Sequence, residues 1–106
     1  MAKHRKLFSA AVNGTKVQVA VSGVSLGGYH IANLTAALAY IQVFNLPAAD
    51  VTVGTTVPTL SLPLPASGGA TLYLGGLDFD ALTLACTTGA TNAVSSDAFV
   101  VLTLKL

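Results

Sequence analysis

The sequence predicts an all-β protein: an antiparallel, jelly-roll-like β-sandwich of seven to eight short strands. Apolar residues recur at every second position along much of the chain, and Gly, Pro, Asn and Ser turn signals recur about every ten residues. No segment of helical length has a 3.6-residue period. Short strands separated by frequent turns are typical of two packed antiparallel sheets, and 106 residues are enough for one such domain.

The stretch 38–64 contains a predicted central strand and a predicted peripheral strand. Residues 38–45 alternate without a strongly polar face, so this strand is expected to be covered on both sides. In residues 60–64 three leucines point to one side, while Ser61 and Pro63 point to the other. Because Pro63 has no N–H to donate, this second strand is predicted to lie at a sheet edge or to carry a bulge.

The other strands are predicted from the same two-residue alternation. They cover residues 7–12, 16–22, 29–35, 70–74, 77–80, 82–87 and 99–106. Leu82, Leu84 and Cys86 are expected to point into the core, and Val100, Leu102 and Leu104 are expected to share one side of the last strand.

Turn residues divide these strands. Asn13-Gly14-Thr15 is predicted to be a hairpin turn, because Asn and Gly tolerate a positive φ. Residues 65–69 are predicted to join strand 60–64 to strand 70–74 in a second hairpin, and residues 23–28 to form a Gly- and Ser-rich turn. Gly75-Gly76 is predicted to kink the chain. Residues 46–59 have no clear period and are expected to form a long loop.

Charged residues are scarce. They make up 8% of the chain, against roughly 25% in typical soluble domains. Lys3, Arg5 and Lys6 are three of the five cations, so residues 1–6 are predicted to form a flexible basic arm ahead of a single domain at 7–106. Because a surface with so little charge repels itself weakly, we expect a homo-oligomer or a component of a larger assembly. One basic cluster without interleaved aromatics argues against nucleic acid as a partner.

A membrane location is not expected, although the mean hydropathy is +0.72. Residues 31–49 are uncharged and long enough to span a bilayer, but they contain Asn33, Gln42 and Pro47 and have a period near two in their second half. The apolar run at 7–12 is too short for a signal peptide. The single cysteine, Cys86, can form no internal disulfide, which favours assembly inside a cell.

Catalysis and cofactor binding are not expected either. Acid–base chemistry needs convergent ionisable groups, and His30 and four aspartates are the main candidates in the body of the chain. Cys86 lies in an apolar alternation and is interpreted as a buried hydrophobe, and His30 as a strand surface residue. Asp78 and Asp80 share a strand face, where solvent or a hard cation such as Ca²⁺ would relieve their repulsion; they are weak candidates for a metal site.

Four segments resemble a family of small tailed-bacteriophage virion proteins. They are Tyr40-Ile-Gln-Val-Phe-Asn45, Val53-Gly54-Thr55, Pro58-Thr-Leu-Ser-Leu-Pro-Leu-Pro65 and Gly75-Gly-Leu-Asp-Phe79, and the likeness covers about residues 28–92. Family members often carry a basic residue where Gln42 stands here. The resemblance implies a β-sandwich capsid decoration (cement) protein, typically a homotrimer, which contacts the major capsid protein. It also implies a location on the capsid surface of the virion after assembly in the host cytoplasm.

Two segments that neither sheet requires are predicted to reach the partner. They are the arm, with Lys3, Arg5 and Lys6, and the long loop, with Val51, Val53 and Thr55. The alternative function is a host-recognition or carbohydrate-binding β-sandwich module on a tail or fibre. Sugar sites usually stack rings on exposed aromatics, and this chain has no Trp and three Tyr.

Overall fold

The computed structural model describes residues 5–105, and it describes their side chains except at positions 5, 6, 70 and 72–75. In this range there are eight strands and one turn of 3₁₀ helix at Ala48–Asp50. The strands are β1 (Arg5–Val12), β2 (Val17–Ala20), β3 (Val24–Asn33), β4 (Ala39–Phe44), β5 (Leu60–Leu64), β6 (Gly69–Phe79), β7 (Leu82–Thr87) and β8 (Ala98–Lys105). No helix within residues 5–105 is long and apolar enough to cross a membrane.

The strands form two antiparallel four-stranded sheets. The first sheet has the order β1-β8-β3-β6 and the second has the order β2-β7-β4-β5. β1 pairs with β8, β2 with β7, β3 with β6 and β4 with β5, as in one long hairpin. Rolling up this hairpin also brings β8 beside β3 and β7 beside β4. This is the jelly-roll arrangement, so the predicted fold class is confirmed.

The core lies between the two sheets and is mainly aliphatic. The three side chains predicted to point inward from β7, and the three predicted to share one side of β8, are each 3% exposed or less. β3 and β4 contribute Ile31, Ile41 and Val43 to the same cluster, and Phe79 of β6 is its one buried aromatic residue among those described. Every second residue of β8 is buried, and these side chains point from the first sheet toward the second.

The predicted central and peripheral strands are also confirmed. β4 lies between β7 and β5 in the second sheet, and five of its six residues are buried. β5 lies at the edge of that sheet, with Pro63 opposite Tyr40. An edge position is where a strand tolerates a residue that cannot donate to a ladder.

Both predicted hairpins are wrong. Residues 13–16 connect β1 in the first sheet to β2 in the second, and residues 65–68 connect β5 in the second sheet to β6 in the first. The turn chemistry itself is present, since the N–H of Thr15 donates to Oδ1 of Asn13 over 2.8 Å. Turn residues reverse the chain locally, but in a jelly roll the reversed chain crosses to the opposite sheet instead of pairing with the strand it left.

Three strand limits also differ from the prediction. The Gly- and Ser-rich segment 23–28 is not a turn, because β3 begins at Val24 and includes Gly27 and Gly28. The register of this strand is irregular between Leu26 and Gly28. β6 is one strand across the predicted kink, where Gly76 has a φ of +110°. β1 begins at Arg5, so Arg5 and Lys6 belong to the domain and not to the predicted arm; residues 1–4 lie outside the described residues.

Candidate functional site

The two outer faces of the sandwich differ. On the second sheet, the outward residues Gln42, Phe44, Thr83, Ala85 and Thr87 are buried, although they point away from the core between the sheets. Two connections cover them: the β4–β5 loop, residues 45–59, and the β7–β8 loop, residues 88–97. Phe44, Ala85 and Val51 form a second small apolar cluster, with Val53 packed against it.

Hydrogen bonds attach these two loops to the sheet. Nε2 of Gln42 donates to the carbonyl of Asn92 over 2.8 Å, and the hydroxyl of Thr83 donates to the carbonyl of Leu46 over 2.8 Å. The hydroxyl of Ser61 donates to the carbonyl of Ala90 over 2.8 Å. Because Gln42 is fully buried beneath the β7–β8 loop, its side chain offers no contact to a partner.

The loops also pack against each other at Gly54. This glycine has a φ of +92°, which L-residues rarely adopt, and a Cβ placed on it would lie 2.8 Å from Cβ of Ala93. The nearby Nζ of Lys16 donates to the carbonyl of Val51, which fixes the start of the same loop segment. The covered face is therefore a packed third layer and not a loose connection.

The outer face of the first sheet, by contrast, is open. Leu7 on β1 is 69% exposed and Phe99 on β8 is 43% exposed. Outward residues of antiparallel sheets are commonly polar, yet the described ones between Leu7 and Phe99 on this face are apolar, small or hydroxyl-bearing, apart from His30. We call the following set the open face: Leu7, Ser9, Ala11, His30, Ala32, Gly69, Thr71, Phe99, Val101 and Thr103.

Charged residues border the open face at one end. Lys105 of β8, Ser25 of β3 and Asp78 of β6 stand in one row of the register, and Arg5 of β1 pairs with Lys105. Asp80 follows directly after β6 and is exposed. A groove of about 320 Å³ runs along this end between residues 23–25, 78–80 and Lys105.

The weak metal candidates Asp78 and Asp80 do not gain further ligands in the fold. Their groove contains a cation, Lys105, and the backbone N–H of Asp80 donates to Oδ1 of Asn45 over 2.8 Å. Within the described part of the chain, no group of three or more His, Cys, Asp or Glu residues is placed to hold a metal ion. The pair is solvated at a strand end, and we derive no metal chemistry from it.

The residues predicted to contact a partner differ in their burial and in the elements that carry them. Val51 is 1% exposed in the second apolar cluster, so the prediction that it contacts a partner is wrong. Val53 is half-buried against the same cluster, while Thr55 is exposed. Arg5 and Lys6 lie in β1, and Lys3 lies outside the described residues. Val57, at 81% exposed, is the most accessible large apolar residue of the loop.

Cys86 lies in the core as predicted, next to the last residue of β7. Burial raises the pKa of its thiol from 9.0 to about 11; a hydrogen bond with Ser96 acts in the opposite direction, and the charge of Asp97 raises the pKa further. The thiol is therefore protonated at neutral pH, which does not suit a nucleophile.

This raised pKa makes stability depend on alkaline pH. Between pH 9 and 11 the thiol of the unfolded chain is ionised while that of the folded chain is protonated, so the folded state binds more protons. We expect the free energy of unfolding to fall across this range by up to about 3 kcal/mol through Cys86. Urea unfolding at several pH values should show a steeper loss for the wild type than for Cys86→Ala. Parallel profiles for the two proteins would contradict the assignment of this pH dependence to Cys86.

His30 lies on the exposed side of β3, as predicted. Its Nδ1 is 2.5 Å from the hydroxyl oxygen of Thr71 on the neighbouring strand β6. The aromatic residues needed for a sugar site are dispersed in the described structure: Tyr29 packs against the core, and Tyr40 is half-buried on the second sheet. Neither tyrosine stands on the open face.

Comparisons with known proteins identify no family. No family model matches the sequence, and no curated protein matches it. Among solved structures, a chain from a study entitled "Bacillus endospore appendages form a novel family of disulfide-linked pili" aligns with a TM-score of 0.43 and 12% identity. That alignment covers 100% of this chain and 92% of the other.

The open face was missed from the sequence, although a signal for it exists. Leu7, Ser9 and Ala11 alternate with core residues of β1, and Phe99, Val101 and Thr103 alternate with core residues of β8. In a strand with one solvated face, these alternate positions usually carry charged or strongly polar side chains. Their absence from two neighbouring strands indicates a surface suited to burial.

Proposed function

We propose that this chain is a non-enzymatic structural protein of a virion, a decoration protein that binds the major capsid protein of a tailed-bacteriophage head. The observation that carries the proposal is the combination of a rigid jelly roll with an almost uncharged, open sheet face. Such a face suits permanent contact with other subunits, because burying it removes few charges from water. The resemblance of residues 28–92 to phage virion proteins supplies the identity of the partner.

Stabilisation of the head would follow from linkage. A protein that binds the assembled lattice but not the dissociated subunits shifts the equilibrium toward the lattice, and the shift grows with each bound copy. No reacting group is needed, which agrees with the dispersed ionisable side chains of the described domain. The location on the capsid surface is part of the same proposal.

The β4–β5 loop is the proposed contact with the capsid, through the exposed residues Thr55 and Val57. Val51 and Gly54 pack the lower side of this loop against the domain, which holds the side chains of Thr55 and Val57 in place. Binding therefore loses little conformational entropy. We expect Val57→Asp to weaken co-sedimentation with undecorated capsids by at least about tenfold. Val21→Asp is the matched control, because Val21 is 77% exposed and belongs to the β2–β3 connection instead of this loop.

The basic arm requires a separate variant. Since Arg5 and Lys6 belong to β1, a deletion should remove only residues 2–4 and leave the strand intact. Weaker co-sedimentation of this deletion, lost at high salt, would support a contact through the arm. If neither Val57→Asp nor the deletion changes capsid binding, the proposed contact is wrong, and if the wild type fails to bind capsids, the decoration role is wrong.

A further inference from the structure

We propose that the open face binds the open face of a second copy of this chain, around a two-fold axis that lies parallel to the strands between β8 and β3. This inference does not rest on the capsid role, because it uses only the first sheet and its register. It assigns a self-association surface to the domain and names the strands that meet there.

The first reason for proposing self-association is that this face is uncovered in the described domain. Loops already bury the outer face of the second sheet, so the open face is the remaining broad sheet surface of the described domain. It carries exposed apolar side chains, Leu7 and Phe99, in a field of Ala, Ser, Thr and Gly. Two sheets of this kind can stack about 10 Å apart, as sheets do inside a sandwich.

The register shows that the face is self-complementary around this axis. A two-fold rotation parallel to the strands exchanges β8 with β3 and β1 with β6, and it preserves the position along each strand. Phe99 is the register neighbour of Ala32 on β3, and the rotation therefore places Phe99 of one copy opposite Ala32 of the other. In the same way Thr103 comes opposite Gly28. Phe99 therefore meets a small residue near the axis, and in the row between these two pairs Val101 comes opposite His30.

Opposite charges meet around this axis. The row at the end of the face holds Lys105 on β8, Ser25 on β3 and Asp78 on β6. Rotation parallel to the strands places Lys105 of one copy opposite Ser25 of the other copy and beside its Asp78. Ion pairing between the two copies would offset the cost of removing these charges from water.

The available area fits an interface between two copies. Eight residues at about 3.3 Å each span about 26 Å, and four strands about 4.8 Å apart span about 19 Å, giving roughly 500 Å² before side-chain relief is counted. A stable interface buries about 800 Å² per partner. The open face with its bordering charged row supplies most of that area on one continuous surface.

Analytical ultracentrifugation of the purified full-length chain over a wide concentration range tests the pairing. We expect a species of twice the 10.7 kDa chain mass. Leu7→Asp should raise the dissociation constant by at least about tenfold, because it introduces a charge into the buried contact. Leu38→Asp should leave the dissociation constant unchanged, since Leu38 is 49% exposed in the β3–β4 connection, outside the open face.

A second variant tests the charged row and does not touch the apolar centre. Asp78→Lys should weaken the pairing, with a smaller effect at high salt, while Asp50→Lys, at an exposed position in the β4–β5 loop, should not. Far-ultraviolet circular dichroism identifies any variant that fails to fold, and if Leu7→Asp fails, Asp78→Lys decides. A monomeric wild type, the trimer that the phage resemblance implies, or a dimer indifferent to Asp78→Lys would overturn the proposal.

Discussion

Replacing Asn33 by Asp is expected to lower the free energy of unfolding by about 3 to 5 kcal/mol. Asn33 ends β3 and is 5% exposed. Its Nδ2 donates to the carbonyls of Ala37, Pro65 and Leu64 over 2.8, 3.1 and 3.3 Å. One amide group therefore ties the β3–β4 connection to the end of β5.

The substitution removes the donors and leaves the shape unchanged. Oδ1 of Asn33 accepts from the backbone N–H of Thr35 over 2.9 Å and from its hydroxyl over 2.8 Å, and a carboxylate would keep both bonds. At the Nδ2 position, however, an anionic oxygen would face three carbonyl oxygens. A buried charge facing unpaired acceptors is among the most destabilising single changes known in proteins.

Asn45→Asp is the matched control for this prediction. Asn45 uses its Oδ1 as an acceptor, from the backbone N–H groups of Asp80 and Ala81 over 2.8 and 3.4 Å. A carboxylate can accept the same two bonds, so we expect a loss below about 1 kcal/mol. Urea unfolding followed by circular dichroism measures both variants. Equal losses would show that the donors of Asn33 do not carry the stabilisation.

Replacing Phe44 by Ala is expected to lower the free energy of unfolding by about 3 to 5 kcal/mol. Phe44 is fully buried on the outward side of β4, against Val51 and Ala85. The aromatic ring fills the space between the second sheet and the β4–β5 loop. Its removal would leave a cavity and would also free the loop that carries Val57, so binding to capsids should weaken together with stability.

Phe99→Ala is the control for this prediction, because it removes a side chain of the same size from a less buried site. The same side chain is removed from the open face, where Phe99 is 43% exposed, and we expect the monomer to lose less than about 1.5 kcal/mol. Thermal and urea unfolding of both variants, measured below the concentration at which chains associate, gives the comparison. A similar loss in the two variants would mean that the loop layer contributes no packing energy.

Strand positions and inward faces could largely be predicted from the sequence, because both depend on a local period of two. β7 illustrates this: Leu82, Leu84 and Cys86 alternate in the sequence and lie in the core of the structure. Pro63 correctly indicated an edge strand, because a missing N–H is a property of the residue itself. These features need no knowledge of which strands meet.

Strand pairing could not be predicted in this way. Asn13-Gly14 is a strong hairpin signal, yet the strands it separates pair with β8 and β7, whose partner residues lie 86 to 100 and 62 to 67 positions further along the chain. Gly27 and Gly28 disfavour a strand locally, but β3 is held between β6 and β8, and pairing on both sides overrides that preference. Turn and propensity signals act over a few residues, whereas a jelly roll is defined by distant contacts.

The residues of the candidate contact surface could be predicted only in part, for the same reason. Thr55, which was predicted to contact a partner, is exposed, but Val51 was not separable from it by sequence, since both lie in an aperiodic loop. Burial of Val51 depends on Phe44 and Ala85, two residues that point away from the main core. The sequence predicted that the strand with Phe44 is covered on both sides. Which loop covers it depends on where the connections fold back, and no local pattern encodes that.

The place of β8 has a consequence for biosynthesis. This strand lies between β1 and β3, so the first sheet cannot close until residues 98–105 have left the ribosome. β4 and β5 are neighbours in sequence and can pair early, whereas β1 must wait for a strand that is made 86 to 100 residues later. Nascent chains would therefore expose β1 and β3 without their partner during translation, and truncation before residue 98 would leave both strands unpaired on that side.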